Sequence, residues 1–230
     1  MIKAVLFDND GVLMDSELVF FEITRDVLLS AGVALEASDW ALNFLGKGMD
    51  TRGMMEFLGI TPAVAEKIIQ ERNRRFMACL EKGFPLLDGV TETINLLHGR
   101  VRLALVTGSP RKALFQAHGN TELLDLFECI ITSDESPRLK PWPDPYQLAL
   151  ERLGLEPEYA IAVEDSPRGL NSAQSAGLRC VLIPTFLTAI SMCRHADWIE
   201  EKITDVLRIV GEENPSLAWN DENTSGNLSL

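Results

Sequence analysis

Cysteine, histidine and positive charge are all scarce in this chain, and each scarcity excludes something. The 230 residues include four cysteines, Cys79, Cys129, Cys180 and Cys193, scattered and without a CxxC pair. That spacing excludes a disulfide framework and is expected of reduced thiols in a cytoplasmic protein. The three histidines, His98, His118 and His195, lack the spacing of a zinc site and are expected in surface or structural roles. No apolar run approaches the ~18 residues of a membrane span, so no membrane partner is expected. Lys and Arg number 21 against 34 Asp and Glu, a net charge of −13. A field of that sign repels polyanions, which argues against nucleic acid and anionic membrane surfaces. The first apolar stretch, MIKAVLF, runs into Asp8 and reads as a strand, not as an export signal. What remains is 46% apolar and 24% charged, the balance of a globular chain with a buried core.

Five short apolar runs have the character of buried parallel strands: residues 4–7, 103–106, 129–131, 160–163 and 180–183. Helical stretches separate the last four, at 110–118, 145–153 and 167–176, so the fold class is α/β with a Rossmann-like parallel sheet. The interval from Asp10 to Thr107 is about three times what one crossover needs. It reads as helices at 16–30, 38–45, 51–58 and 62–80. Residues 15–84 are therefore expected to form an inserted helical cap on a core built from 1–14 and 85–211. Residues 212–230 hold no Lys or Arg and no periodicity, and are expected to be a disordered tail.

Polar residues gather where the strands end. The first strand is followed by Asp8-Asn9-Asp10-Gly11, the second by Thr107-Gly108-Ser109-Pro110, the third by Lys140, and the fourth by Glu164-Asp165-Ser166. Ligands of open parallel sheets bind beyond the carboxyl ends of the strands, so these groups converge on one crevice. Asp8, Asp10, Glu164 and Asp165 are hard oxygen donors whose mutual repulsion calls for a cation, and Mg²⁺ suits a few carboxylates plus a phosphate. Thr107, Gly108 and Ser109 open a helix, where a hydroxyl, backbone N–H groups and the helix dipole suit an anion. Lys140 adds a compact positive charge. Carboxylates, a cation site and an anion cradle together point to phosphoryl transfer, in which a carboxylate can act as nucleophile.

These motifs are similar to those of the haloacid dehalogenase-like hydrolases, in the branch with a helical cap after the first strand. The resemblance rests on FDNDGVLMDSE (7–17), VTGSP (106–110), LKPWPDP (139–145) and VEDSPRG (163–169), in order along residues 2–210. It implies that Asp8 is the nucleophile and Asp10 the general acid and base. Thr107 and Lys140 would hold the phosphoryl group. Glu164 and Asp165 would help bind Mg²⁺, Asp165 being the preferred direct ligand, with the Asp8 side chain and the Asp10 carbonyl completing the set.

Within that resemblance, dehalogenases lack the second aspartate and the metal, and phosphonate-cleaving members replace that aspartate with a small residue. Asp10 argues against both. Mutases of the β-phosphoglucomutase type usually carry a histidine where this chain has Phe20, which leaves a phosphatase acting on a small phosphorylated metabolite. Sugar phosphates, sugar-acid phosphates and phosphoglycolate all suit it, the first two preferred. The alternatives are a phosphomutase and a non-catalytic phosphometabolite-binding protein. Lys47 and Arg52, in a glycine-rich stretch of the cap, are the nominated contacts to the rest of the substrate, with an exposed loop as the equal competing reading. Phe20 and Phe21 are expected in cap packing, Trp142 in packing or at a rim, and Arg72, Arg74 and Arg75 on a solvated helix face.

Overall fold

The computed structural model describes residues 1–189 and 192–217. Six strands form one sheet: β1 (Ala4–Phe7), β2 (Arg102–Val106), β3 (Cys129–Ile131), β4 (Ala160–Glu164), β5 (Arg179–Leu182) and β6 (Trp198–Ile199). Their order is β3-β2-β1-β4-β5-β6 and every pairing is parallel. From β1 the chain builds outward to β2 and β3 on one side, then to β4, β5 and β6 on the other. The order reverses at β1, so the crevice opens beyond its carboxyl end.

Strand residues bury both their faces, which is why the strands read as unbroken apolar runs. Val5 and Phe7 pack with α5 (Val90–Leu97) and α9 (Asp205–Glu213). Ala4 and Leu6 face the other way, against α7 (Asp144–Leu153) and α8 (Pro167–Ser175). That second layer is rich in alanine, including Ala104, Ala160, Ala162, Ala149 and Ala173, which brings its helices close to the sheet. A further core helix, α6 (Arg111–Ala117), starts just after the second motif.

Between β1 and α5 stands a helical layer: α1 (Ser16–Ser30), α2 (Ala37–Asp39), a π-helical stretch at Trp40–Gly46, α3 (Thr51–Phe57) and α4 (Pro62–Leu80). It has its own apolar centre, in which Phe21, Leu28, Trp40, Leu45, Met54, Met55 and Ile68 are buried. Trp40 is 1% exposed and stacks on Phe44 with ring centroids 4.0 Å apart. Truncating a side chain so enclosed costs about 3–5 kcal/mol. The layer joins the core through two adjacent connections, where Met14 bridges Leu86 and Leu87 N–H donates to Leu13 O at 2.9 Å. Among the described residues no helix is long and apolar enough to cross a membrane.

The structure departs from the sequence expectation at the chain's far end. Residues 212–217 are ordered: α9 runs to Glu213, which pairs with Arg179 at 2.5 Å. Asn214 is buried, its Oδ1 accepting from Ile2 N–H and its Nδ2 donating to Ile2 O, both at 2.8 Å. An asparagine amide here imitates a neighbouring strand, a role that charge and periodicity do not reveal. Residues 218–230 lie outside the described residues.

Candidate active site

The carboxyl ends of β1, β2 and β4 bring the motif residues to the mouth of a cavity of about 670 Å³ between the core and the helical layer. Asp8, Asp10, Gly108, Ser109 and Lys140 line it on the core side. Thr107 is buried just behind them. Its hydroxyl and that of Ser109 donate to Asp10 Oδ2 at 3.0 and 2.9 Å. The Ser109 N–H, expected to be free for an anion, donates to Thr107 Oγ1 at 2.9 Å. The hydroxyl of Ser16, first residue of α1, donates to Asp10 Oδ1.

Lys140 is the hub of the site. Its Nζ lies 3.0 Å from Asp8 Oδ1, 2.6 Å from Glu164 Oε1 and 2.8 Å from Val106 O. Tyr146 OH donates to the same Glu164 oxygen at 2.7 Å. With that oxygen doubly engaged, Glu164 orients Lys140, while among the described residues no ammonium or guanidinium is in ion-pair contact with Asp165. Asp8, Glu164 and Asp165 offer oxygens within 4.8 Å of one another, and the Asp10 carboxylate is turned away to its hydroxyl donors.

The electrostatics of this group are strained in one direction. Burial, with Glu164 beside it, pushes the Asp8 carboxyl up to about 7 against the pull of Lys140. Burial, then Asp8 and Glu164, drive Asp165 well above the carboxylate range. Burial opposes the Lys140 ammonium, yet Asp8 and Glu164 outweigh it and hold its pKa above the usual lysine value. Asp8 and Glu164 thus share one ammonium with the buried Asp165 close beside them, and Glu164 Oε2 is buried without a hydrogen-bond partner. A divalent cation suits such a donor set. Two glycines make the crowding feasible. A Cβ on Gly11, at φ +88°, would stand 2.3 Å from Asp165 Oδ2, and one on Gly169 would stand 1.8 Å from Glu164 Oε2.

The cap side of the cavity differs from expectation. Lys47 is exposed and its Nζ reaches back one helical turn to Asn43 Oδ1 at 3.0 Å. Arg52, at the start of α3, points to Glu66 at 3.6 Å with 78% of its side chain exposed. Neither lines the cavity. The Arg72 expectation is also overturned: only 4% exposed, it stacks 4.4 Å from the Phe20 ring and donates to Thr51 Oγ1 and Asn73 Oδ1. Burial lowers its pKa to about 10. Arg74 and Arg75 do lie outward, both on Glu71.

The cap wall is instead aromatic and acidic. Phe20, Phe44 and Phe76 line it with Met49, and Glu17 reaches in from α1. Trp40 Nε1 donates to Glu17 Oε1 at 3.0 Å, and burial raises the Glu17 carboxyl despite Arg168 nearby. Arg168 and Trp142 complete the rim, and Trp142 is 54% exposed. Ser16, Glu17 and Arg168 sit inside the motifs quoted above, so position beside a motif was their signal. Tyr146 had none beyond following the proline-rich loop.

The family model for haloacid dehalogenase-like hydrolases matches residues 5–183. The chain belongs to this family. Among curated relatives, CbbY of Rhodobacter capsulatus is 32% identical over 94% of this chain and 99% of its own. The phosphorylated carbohydrates phosphatase of Thermotoga maritima is 33% identical, over 77% and 82%. Among solved structures, Rhodobacter sphaeroides CbbY in complex with xylulose-(1,5)bisphosphate aligns with a TM-score of 0.72 at 27% identity, over 89% of this chain and 96% of that one. The haloacid dehalogenase-like chain described here is thus of the phosphatase and β-phosphoglucomutase-like branch, and its enzyme class is phosphatase.

Proposed function

We propose that this chain hydrolyses a small phosphomonoester, a sugar or sugar-acid phosphate, through an aspartyl-phosphate on Asp8, with Mg²⁺ as its metal. The observation that carries this reading is the convergence of Asp8, Asp10 and Lys140 at one cavity mouth, with Asp165 beside Asp8 and with Thr107 and Ser109 on Asp10. A relative named for phosphorylated carbohydrates and a neighbour bound to a sugar bisphosphate support the substrate class.

Asp8 attacks phosphorus in line while Lys140 and Thr107 hold the phosphoryl oxygens. Asp10 gives a proton to the leaving oxygen, then takes one from the water that hydrolyses the aspartyl-phosphate, so the carboxyl ends as it began. The side chains of Asp8 and Asp165 and the main-chain carbonyl of Asp10 would hold the Mg²⁺, with Glu164 behind them, and the ion would draw charge from the phosphoryl oxygens. Phe20 packs against Phe44 and Phe76 where mutases of the β-phosphoglucomutase type usually carry a histidine, which favours hydrolysis over isomerisation. Swinging of the cap about the Met14–Leu86 junction would exclude bulk water during the first step and admit it for the second.

A phosphate-release screen over sugar and sugar-acid phosphates, with Mg²⁺ and with a chelator, tests this. Release is expected only with the metal, and Asp8→Asn is expected to abolish it. Turnover retained by Asp8→Asn overturns the mechanism, and inactivity of the native protein across the panel favours the binding-only alternative.

A further inference from the structure

Asn9 stands between the nucleophile and the acid, yet it does not line the cavity. It is 1% exposed, and its amide meets His118, itself 2% exposed and the residue that follows α6. His118 Nε2 lies 2.7 Å from Asn9 Oδ1, across 109 residues of chain. Its Nδ1 lies 3.1 Å from Thr121 Oγ1. On its other side, Asn9 Nδ2 lies 3.2 Å from Asp10 Oδ1.

The proton order along this series follows from its fixed end. In the carboxylate form that serves the base step Asp10 accepts, so Asn9 turns its NH₂ toward it. Its amide oxygen then faces His118, which must carry its proton on Nε2. Burial lowers the His118 pKa to about 4, so the ring is neutral near pH 7, with Nδ1 beside the Thr121 hydroxyl, which also reaches His118 O at 3.3 Å.

The other donors to Asp10 line or adjoin the cavity. Ser16 opens the first cap helix, and Thr107 and Ser109 belong to the phosphoryl cradle. The Asn9 amide is held from behind by a buried side chain, through the His118 bond. We propose that His118 is a positioning residue for the reaction, holding through Asn9 the orientation of the Asp10 carboxylate for its acid and base steps. This rests on the hydrolase reading above. His118 touches neither substrate nor metal donors, so its loss acts on turnover and spares binding.

The test is a mutant cycle measured on a substrate from the phosphate-release screen. His118→Phe keeps a ring and removes both nitrogens, and Asn9→Leu removes the amide. Each is expected to lower kcat about tenfold, since small misplacements of a reacting group are costly, with KM held within about twofold. The double variant is expected to lose no more than Asn9→Leu alone, because the two act in series. An unchanged kcat in an active His118→Phe protein, or additive losses, overturns the positioning role and leaves the hydrolase reading standing. A native protein that releases no phosphate overturns both. Should the variants not fold, ¹⁵N spectra of the native imidazole decide: a neutral Nε2–H ring near pH 7 is expected, and an Nδ1–H or protonated ring overturns the proposal.

Discussion

Glu17 places a carboxylate beside the aromatic part of the cap wall, on the side where the leaving group must sit. Its Oε1 is held by Trp40, which leaves the other oxygen to accept a hydroxyl. A second carboxylate brought there with the substrate meets like charge, worth several kcal/mol when desolvated. Glu17→Gln is therefore expected to raise kcat/KM for a sugar-acid phosphate about tenfold relative to the matching sugar phosphate. Paired assays on the two substrates check it, and an unchanged ratio removes Glu17 from the specificity wall. At this scale the sequence was readable where side chains are fixed by strand ends. Asp8, Thr107, Glu164 and Asp165 follow directly from buried strands, and Lys140 from the loop after one. Lys47, Arg52 and Arg72 were not readable, because a helical residue's direction depends on the phase of its helix and on its neighbours. A single turn decides whether a cation meets substrate, solvent or, as with Arg72, a phenylalanine ring.

Elements were legible to the extent that their burial shows in their composition. The strands with two buried faces and the long helix α4 (Pro62–Leu80) agree with their apolar patterns. The stretch read as an ordinary helix at 38–45 is π-helical over Trp40–Gly46, where Trp40 stacks on Phe44. The two-residue strand β6 is too short to leave a pattern. The end of α9 was missed because its fastening is one amide against one backbone. Asn214→Ala removes both hydrogen bonds to Ile2 and leaves buried peptide groups unpaired, a loss of about 1–3 kcal/mol. Denaturant unfolding should show that loss with the phosphatase site intact, and an unchanged midpoint would make the clamp ornamental.

For the whole molecule, the net charge of −13 matters less than where the charges lie. The excess at the site is buried, and the pKa values of Asp8 and Asp165 both stand above their unfolded values. A raised carboxyl pKa means the folded state binds more protons, so its stabilising share is complete below the unfolded value near 4 and fades as pH rises through the folded one. Without divalent metal, the melting temperature is expected to fall between about pH 5 and 8, and Mg²⁺ to restore it. In Asp8→Asn the decline should be shallower. Scans of both proteins with and without metal check this, and equal slopes would refute it.

The two strands of chain that carry the cap lie bonded side by side, Met14 against Leu86 and Leu87 on Leu13. Seen from the core, the insertion leaves and returns at almost one point, and none of the six strands lies within it. Such a mount behaves like the chuck of a tool. The bit can be exchanged, lengthened or reshaped for a new workpiece while the motor, in the loops beneath, keeps its settings.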